Sequence, residues 1–346
     1  MQERDVQTPR LKVHLRQSGA GNTAVLLVHG NCSSGVFFED LMQALPAAYR
    51  AVAPDLRGYG DTEPLPVEGS RGVRDWSDDL HALAQTLSLG RLHLVGWSMG
   101  AGVIMQYALD HPADVASLTL ISPMSPYGFG GTKGPGGAPL APDYAGSGGG
   151  LVNPDFVKFL AARERGDGDP NTPRNVMNGF YVKPPFRTNP AQEERWLDGV
   201  ISTRIGTDHY PGDFVTSSHW PGLGPGSHGI NNAMSPKYYN TAAFKDLRPQ
   251  PPVLWVRGDS DLIVSDTSFF DMAYLGQLGY VPGWPGAEAC PPQPMVSQMR
   301  AVLEAYRANG GHYAEHVLAG AGHSPFLEMP GEFQAIFHAF LAQAAG

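Results

Sequence analysis

Residues 92–103 read Leu-His-Leu-Val-Gly-Trp-Ser-Met-Gly-Ala-Gly-Val, and the arrangement of the chain can be worked out from this segment. Its first four residues are a short, largely apolar run, which predicts a buried strand. Its last residues open an apolar helical pattern that extends to residue 110. Ser98 therefore lies in a sharp turn between a strand and a helix, where Gly96 and Gly100 would relieve clashes with neighbouring backbone.

The same alternation of strand and helix continues on both sides of this turn. The predicted strands are 11–18, 24–28, 51–54, 92–95, 118–121 and 253–256, and the helical patterns between them are 36–45, 74–88 and 99–110. This order predicts an α/β fold with a doubly wound, mostly parallel sheet. Ligands of such sheets bind beyond the carboxyl ends of the strands. Residues that directly follow a strand are therefore the first candidates for a functional site.

The strand–helix order breaks after Ser122. Ten glycines lie within 128–150, so this segment is predicted to be a mobile or irregular loop. Helical patterns return at 153–165, at 190–205 and near 235–244, and the α/β order resumes only at Pro252. The prediction is a core domain made of 1–123 and 247–346, a mostly helical cap or lid inserted at 124–246, and a second loop insertion at 274–292.

Composition excludes several classes of function. The 346 residues include 24 Lys+Arg and 33 Asp+Glu, for a net charge of −9, which disfavours nucleic acid as a partner because phosphates require a basic surface. An apolar run of membrane-spanning length and a signal-peptide core are both missing from the sequence, so no membrane association and a cytoplasmic location are expected. Cys32 and Cys290 cannot form a disulfide framework, although one bridge between them stays open.

The segment Gly96-Trp97-Ser98-Met99-Gly100 has the form G-x-S-x-G between a predicted strand and a predicted helix, the context in which a serine serves as a nucleophile. The helix that follows directs its free N–H groups at a developing oxyanion. Further motifs are Val28-His29-Gly30, Asp55-Leu-Arg-Gly58-Tyr-Gly60, Gly258-Asp-Ser-Asp261 and Gly322-His323-Ser324. These five motifs cover about 24–122 and 250–346, and in this order they resemble the α/β-hydrolase superfamily, which carries Ser, Asp and His in that sequence.

The resemblance implies a role for each catalytic residue. Ser98 is the expected nucleophile, His323 the base that removes its proton, and Asp261 the carboxylate that orients the imidazole. Asp259 and Asp266 are rivals for the third role, but the family spacing G-x-x-D selects Asp261. The oxyanion hole would combine two backbone N–H groups. These are assigned to Met99 and Asn31, with Cys32 as the neighbouring alternative to Asn31. The substrate pocket would be lined by Trp97, Phe37, Phe38 and Met124, for which packing in the core is the alternative.

The resemblance implies a serine hydrolase that cleaves a small-molecule carboxylic ester through an acyl-enzyme. Lactone, amide or C–C bond hydrolysis by the same triad are alternatives, and a non-catalytic ligand-binding relative is a further one. No cofactor and no metal are expected, because the spacings of the histidines in the cap match no metal motif. The oligomeric state is left open by the sequence.

Overall fold

The structure is a computed structural model that describes residues 1–344, and its centre is an eight-stranded sheet. The strands are β1 (Gln2–Gln7), β2 (Lys12–Ser18), β3 (Thr23–Val28), β4 (Tyr49–Pro54), β5 (Leu92–Trp97), β6 (Val115–Ile121), β7 (Val253–Gly258) and β8 (Tyr313–Leu318). Their spatial order is β1-β2-β4-β3-β5-β6-β7-β8. β1 and β2 pair antiparallel, β2 is antiparallel to β4, and all other neighbours are parallel. The carboxyl ends of the six parallel strands, β3, β4, β5, β6, β7 and β8, therefore open on one edge.

Helices pack against this sheet, and others lie within 124–246. They are α1 (Glu39–Ala44), α2 (Arg74–Thr86), α3 (Met99–Asp110), α4 (Pro154–Ala161), α5 (Pro173–Val176), α6 (Pro190–Ile201), α7 (Ile230–Ala233), α8 (Met272–Gln277), α9 (Met295–Ala308), α10 (Pro325–Glu328) and α11 (Pro330–Ala344). Strand β5 is buried along its whole length, as expected for a central parallel strand covered on both faces. The predicted doubly wound α/β sheet is confirmed, and the predicted strands are found with small extensions at their ends.

Shorter elements connect the long ones. The 3-10 turns are Gly35–Phe38, Gly69–Arg71, Pro112–Asp114, Gly149–Leu151 and Ala242–Asp246, and Met177–Tyr181 is a π-helix. Two-residue and three-residue strands lie at Thr132–Lys133, Ala138–Pro139, Ile205–Gly206, Tyr210–Pro211, Phe214–Thr216 and Leu223–Pro225. All of the short strands fall within 124–246, which therefore contains helices joined by small strand pairs and irregular segments.

Two details differ from the sequence-based expectations. Strand β1 was not predicted, because its sequence Gln-Glu-Arg-Asp-Val-Gln buries only Val6 and shows no apolar alternation. The helix predicted near 235–244 is wrong: the chain forms α7 before this range and a 3-10 turn at its end. Asn240 lies in the middle of the predicted helix, and its Oδ1 accepts from Ala242 N at 2.9 Å, a local side-chain-to-backbone hydrogen bond that competes with a continuous helix.

The segment 124–246 is closely attached to the rest of the chain. Its helix α6 approaches the 3-10 turn 35–38 so closely that a Cβ added at Gly199 would lie 2.8 Å from Val36 Cγ1. Backbone hydrogen bonds add to this contact, from Arg204 N to Gly58 O at 2.9 Å and from Val67 N to Asp208 O at 2.9 Å. The division into a core and an inserted cap stays a prediction, taken up below.

The glycine-rich segment is irregular, as predicted, and two buried glutamines hold it. Gln293 accepts from Gly130 N at 2.7 Å and donates to Gly128 O at 3.0 Å. Gln298 donates to Gly134 O at 3.0 Å. Both glutamines are fully buried, so these hydrogen bonds supply partners for backbone groups that the short strand pair of this segment leaves unpaired.

Two further features were considered from the sequence, a disulfide bridge and a membrane-spanning helix. Cys32 and Cys290 are both buried and unpaired, so the bridge that the sequence left open is not formed. None of the helices in residues 1–344 combines the length and the apolar character needed to cross a membrane.

Candidate active site

Ser98 lies at the carboxyl end of β5, in a conformation that few residues adopt. Its backbone has φ 58° and ψ −120°, in the left-handed half of conformational space, where side chains other than glycine are strained. The backbone of the next strand fixes this position, because Ser98 N donates to Ile121 O at 2.9 Å. Ser98 is partly exposed, whereas the residues on either side of it are buried. The turn therefore leaves the serine partly exposed while its two neighbours stay buried.

Both flanking glycines are needed for this turn. A Cβ added at Gly100 would lie 2.1 Å from Val28 O, and one added at Gly96 would lie 2.5 Å from Ala101 Cα. Each distance is far below van der Waals contact, and the clash in each case is with backbone. The two glycines thus allow α3 to start directly against the end of β3.

His323 follows β8 and forms a close pair with Asp261, which follows β7. The two side chains are buried, and Nδ1 of His323 lies 2.8 Å from Oδ2 of Asp261. The other oxygen of Asp261 accepts from the N–H groups of Ile263 at 2.8 Å and Val264 at 3.0 Å. The carboxylate is therefore fixed by its own loop, and it fixes the imidazole with Nε2 available for proton transfer.

The rival carboxylates have other partners. Asp259 is exposed and accepts from Gly320 N at 2.8 Å. Asp266 accepts from Ser297, from its N–H at 3.0 Å and from its hydroxyl at 2.6 Å. Of these three candidates, Asp261 alone contacts His323.

Trp97 links the serine turn to the histidine turn. Its indole Nε1 donates to His323 O at 3.0 Å, and its ring centroid lies 5.6 Å from that of the imidazole. Ser98 Oγ itself makes no hydrogen bond with any of residues 1–344. The structure thus brings acid and base together on a turn that Trp97 joins to the serine turn, and a serine–base hydrogen bond commonly tightens only when substrate is bound.

The predicted oxyanion loop lies directly against the serine. A Cβ added at Gly30 would be 3.0 Å from Ser98 Cβ. Within the described part of the chain, the backbone N–H groups of Asn31 and Met99 have no acceptor, so both are available to an oxyanion. The N–H of Cys32 instead donates to Asn31 Oδ1 at 3.0 Å. This favours Asn31 over Cys32 as the second donor, although the assignment stays a prediction.

His29 holds the oxyanion loop in place. It is fully buried, its Nε2 accepts from Leu56 N at 2.9 Å, and its Nδ1 donates to Gly30 O at 2.8 Å. Burial lowers the pKa of His29 to about 4, because desolvation disfavours the imidazolium. His29 therefore stays neutral around pH 7 and serves as a fixed hydrogen-bonding group.

This lowered pKa predicts a pH-dependent stability. In the unfolded chain a histidine binds its proton near pH 6.5, whereas folded His29 does so only near pH 4. The free energy of unfolding should therefore fall as pH is lowered from about 6.5 to about 4, by up to about 1.4 kcal/mol per pH unit from this group. Urea unfolding of wild type and His29→Gln across this range would measure it. The glutamine variant should show the smaller pH slope, and equal slopes would contradict the prediction.

The residues predicted to line the pocket form a packed wall. The ring of Phe37 lies 5.3 Å from Trp97 and 5.9 Å from Trp196, and Phe38 stacks on Phe326 at 5.3 Å. Phe37, Phe38 and Trp97 are each at most 1% exposed. Their direct contact with a substrate stays a prediction.

Met124 was also predicted to line the pocket. Its backbone N–H donates to Ser98 O at 3.2 Å, so it lies beside the serine turn. Its side chain, however, covers α3, since a Cβ added at Gly102 would be 2.2 Å from Met124 Cε. A substrate contact by this side chain likewise stays a prediction.

Two groups of side chains outside this site have ligand atoms within 4.8 Å of one another. The first is His81, His111 and Asp114, and the second is His14, Asp55 and Asp61. In the first, the two imidazole rings stack 3.7 Å apart at 5°, so their lone pairs run parallel and do not converge on one ion. This group also lies at the end of α3 opposite Ser98, about 18 Å along the helix axis.

Comparison with known proteins agrees with the observed fold. A family model described as alpha/beta hydrolase fold matches residues 23–147. A 2-hydroxy-6-oxononadienedioate/2-hydroxy-6-oxononatrienedioate hydrolase from Paraburkholderia xenovorans (strain LB400) is 30% identical over 291 residues, which are 80% of this chain and 87% of that protein. The chain belongs to the α/β-hydrolase family.

This α/β-hydrolase is also similar to a second relative and to a solved structure. A protein with the same name from Burkholderia vietnamiensis (strain G4 / LMG 22486) is 34% identical over 129 residues, which are 36% of this chain and 42% of that relative. The esterase RhEst1 from Rhodococcus sp. ECU1013 has a TM-score of 0.61 at 20% identity, with 99% of each chain covered. At 20% identity, the likeness to this esterase shows the fold alone. The chain thus spans less than half the length of the relative from Burkholderia vietnamiensis, and these likenesses show the family and the fold.

Proposed function

We propose that this α/β-hydrolase is a serine hydrolase that cleaves small-molecule carboxylic esters through an acyl-enzyme. The observation that carries the proposal is the buried His323–Asp261 pair, 2.8 Å apart, beside a partly exposed serine in a strained strand-to-helix turn. A serine hydroxyl is a weak nucleophile at neutral pH and needs such a base at the moment of attack. The three residues follow β5, β7 and β8, at one edge of the sheet.

In the first half of the reaction, Ser98 Oγ attacks the ester carbonyl while Nε2 of His323 takes its proton. Asp261 stabilises the imidazolium that forms. The carbonyl oxygen becomes an oxyanion, which accepts hydrogen bonds from the N–H groups of Met99 and Asn31. His323 then donates its proton to the leaving alkoxide, and the acyl group stays bonded to Ser98.

In the second half, His323 removes a proton from water, which attacks the acyl-enzyme carbonyl. The same two N–H groups stabilise the second oxyanion. Its collapse breaks the bond to Ser98 Oγ, which recovers its proton from His323, and the carboxylic acid is released. Each step uses only side chains and backbone groups of this chain, so the proposed reaction needs no cofactor.

The surroundings of the site favour an apolar substrate. Besides the imidazole of His323, the rings packed round Trp97 are those of Phe37, Tyr181 and Phe326, which are largely apolar. Three arginines in 124–246 are already paired with carboxylates, namely Arg165, Arg174 and Arg195. The net charge of −9 also opposes an anionic substrate, through repulsion that salt would screen.

C–C bond hydrolysis is the second candidate, and one observation favours it. The relative from Paraburkholderia xenovorans, which this chain matches over 87% of its length, is named for a substrate with two carboxylates. Nucleophilic attack on a ketone can use the same serine, base and oxyanion hole. Such a substrate would require cationic partners for its carboxylates, which the aromatic surroundings of Trp97 do not offer. Lactone and amide cleavage also use this triad.

We further propose that 124–246 is a cap over a core of 1–123 and 247–346, with 274–292 as a second insertion. Support comes from the change of architecture at these limits: the long parallel strands lie outside 124–246, and the short strand pairs lie within it. Residues of this segment approach the carboxyl edge of the sheet through α6 and the π-helix. A cap in this place would select substrates by size and polarity.

The reaction class is tested with a series of p-nitrophenyl esters from acetate to decanoate, with matched lactones and amides, and with the dioate named for the relative. Products are identified by mass spectrometry. Ester turnover that exceeds dioate cleavage supports the proposal and begins to define the acyl pocket. Preferred cleavage of the dioate would replace it with the C–C candidate. Binding of these compounds with no turnover would indicate a non-catalytic relative.

A further inference from the structure

The segment 177–183 touches both loops that carry the proposed catalytic groups. It starts with the π-helix Met177–Tyr181, an uncommon element that occurs frequently at functional sites. It continues through Val182 to Lys183. The first contact, made by Tyr181, is with the oxyanion loop, and the second, made by Lys183, is with the histidine turn.

The Tyr181 hydroxyl reaches the carbonyl groups of the oxyanion loop. It lies 2.9 Å from Cys32 O and 3.2 Å from Asn31 O. Carbonyl oxygens only accept, so the tyrosine is the donor. Burial raises the pKa of Tyr181 well above its usual range, which keeps the hydroxyl protonated. Asn31 N and Asn31 O lie in the two peptide groups on either side of the Asn31 Cα. A hydrogen bond that fixes the carbonyl therefore also restricts the direction of the Asn31 N–H, the proposed oxyanion donor.

Tyr59 supports the same residue from the other side. Its hydroxyl donates to Asn31 Oδ1 at 2.7 Å, and this oxygen also accepts from Cys32 N. Asn31 Oδ1 thereby accepts two hydrogen bonds, and the Asn31 backbone carbonyl accepts a third from Tyr181. The oxyanion loop thus has one anchor in the core and one in the segment 177–183.

Glu328 makes the corresponding contact at the histidine turn. Its carboxylate accepts from Gly322 N at 2.9 Å and from Ser324 N at 3.3 Å, the N–H groups on either side of His323. The same carboxylate accepts from Lys183 N at 2.8 Å. A Cβ added at Gly322 would lie 2.8 Å from Lys183 N, so the two backbones are in close contact here.

We infer that the segment 177–183 and Glu328 together form a positioning device, in which Tyr181 holds the oxyanion loop and Glu328 holds the His323 turn in register with Ser98. The inference rests on the proposed function of these groups. Neither residue touches the reacting atoms, so both act through others. Oxyanion hydrogen bonds and proton transfer depend steeply on position, and a displacement of about 1 Å can lower a rate about a hundredfold. Substrate affinity depends far less on this alignment.

The test compares two variants with wild type. Tyr181→Phe removes only the hydroxyl. Glu328→Gln replaces a carboxylate, whose two oxygens both accept, with an amide, whose NH2 group can only donate. We expect each to lower kcat by about tenfold or more, with KM changed less than about twofold. A fluorophosphonate should label Ser98 more slowly by a similar factor. This second readout needs no ester substrate, so it stays valid whichever carbonyl compound the enzyme prefers.

Tyr306→Phe is the matched control. The Tyr306 hydroxyl is also buried and donates to a backbone carbonyl, Pro251 O, at 2.7 Å, but near the amino end of β7, away from Ser98. This variant should keep wild-type kcat and labelling rate. The melting temperature of every variant is measured, so that a loss of folding is separated from a loss of alignment, and Glu328→Gln gives an independent result if Tyr181→Phe is unstable.

Two results would overturn the inference, and they differ from each other. If wild type and Tyr181→Phe are labelled equally fast, and Glu328→Gln also matches wild type, the segment 177–183 has no positioning role. If the fluorophosphonate does not label Ser98 of the wild-type protein at all, the proposed function fails and the inference fails with it. Slower labelling of both variants beside an unchanged Tyr306→Phe supports it.

Discussion

Ser98→Ala should abolish turnover of every substrate that the wild-type enzyme hydrolyses, with a fall in kcat of about 10⁴-fold or more. The expected loss is this large because the acyl-enzyme cannot form without Oγ, and the oxyanion donors alone supply only the residual rate. The serine side chain is partly exposed and makes no hydrogen bond within residues 1–344, so its removal should leave the free energy of unfolding almost unchanged. Steady-state kinetics and urea unfolding of both proteins would measure the two effects.

Ser122→Ala is the control for this experiment. Ser122 follows β6, is buried, and its hydroxyl has no hydrogen-bond partner in the described chain. Its removal should leave kcat within about twofold of wild type. Peptide mapping after fluorophosphonate treatment should place the label on Ser98 alone. Retained turnover in Ser98→Ala, or a label on another residue, would disprove the proposed nucleophile.

Asp261→Asn is expected to have the second largest effect, a fall in kcat of about 10⁴-fold. Asparagine has nearly the same shape, but its neutral amide cannot stabilise the imidazolium. It also allows the tautomer of His323 with the proton on Nε2, which cannot accept a proton from Ser98. KM should change little, because Asp261 is buried behind the histidine.

Asp259→Asn provides the comparison, since this residue lies two positions away and carries the same group. Its carboxylate is exposed and accepts from Gly320 N, so its loss should cost about 1 kcal/mol of stability or less with kcat within about twofold. Measuring kcat for both variants decides between the two aspartates. A large loss in Asp259→Asn together with an active Asp261→Asn would reverse the assignment.

Much of the fold was predictable because the decisive signals are local. The apolar runs at 24–28 and 92–95 mark strands that are buried on both faces, and the glycines round Ser98 mark a turn in which side chains would clash. By contrast, β1 is held by backbone pairing to β2 at an exposed edge, and such pairing leaves no trace in residue type. Its six residues carry no apolar pattern to detect.

Within the candidate site, the sequence indicated the groups with chemistry but not those that position them. The spacing G-x-x-D favoured Asp261 over Asp259, and only the former contacts His323. Tyr181 was one aromatic among several in the cap, since a π-helix has no recognised sequence signal. Glu328 gave no signal either, because its role depends on Lys183, which lies 145 positions earlier in the chain.

The anchored glycine-rich segment limits how a cap could move. Lifting 128–134 away from Gln293 and Gln298 would break four hydrogen bonds of these two side-chain amides in every catalytic cycle. At about 1 kcal/mol for each, fewer than about one molecule in a hundred would be open at any moment. An enzyme that opens often would therefore keep these bonds and hinge at another part of 124–246. The glycine-rich composition of 128–134 is typical of flexible chain, but this segment would then stay in place while another part of 124–246 moves.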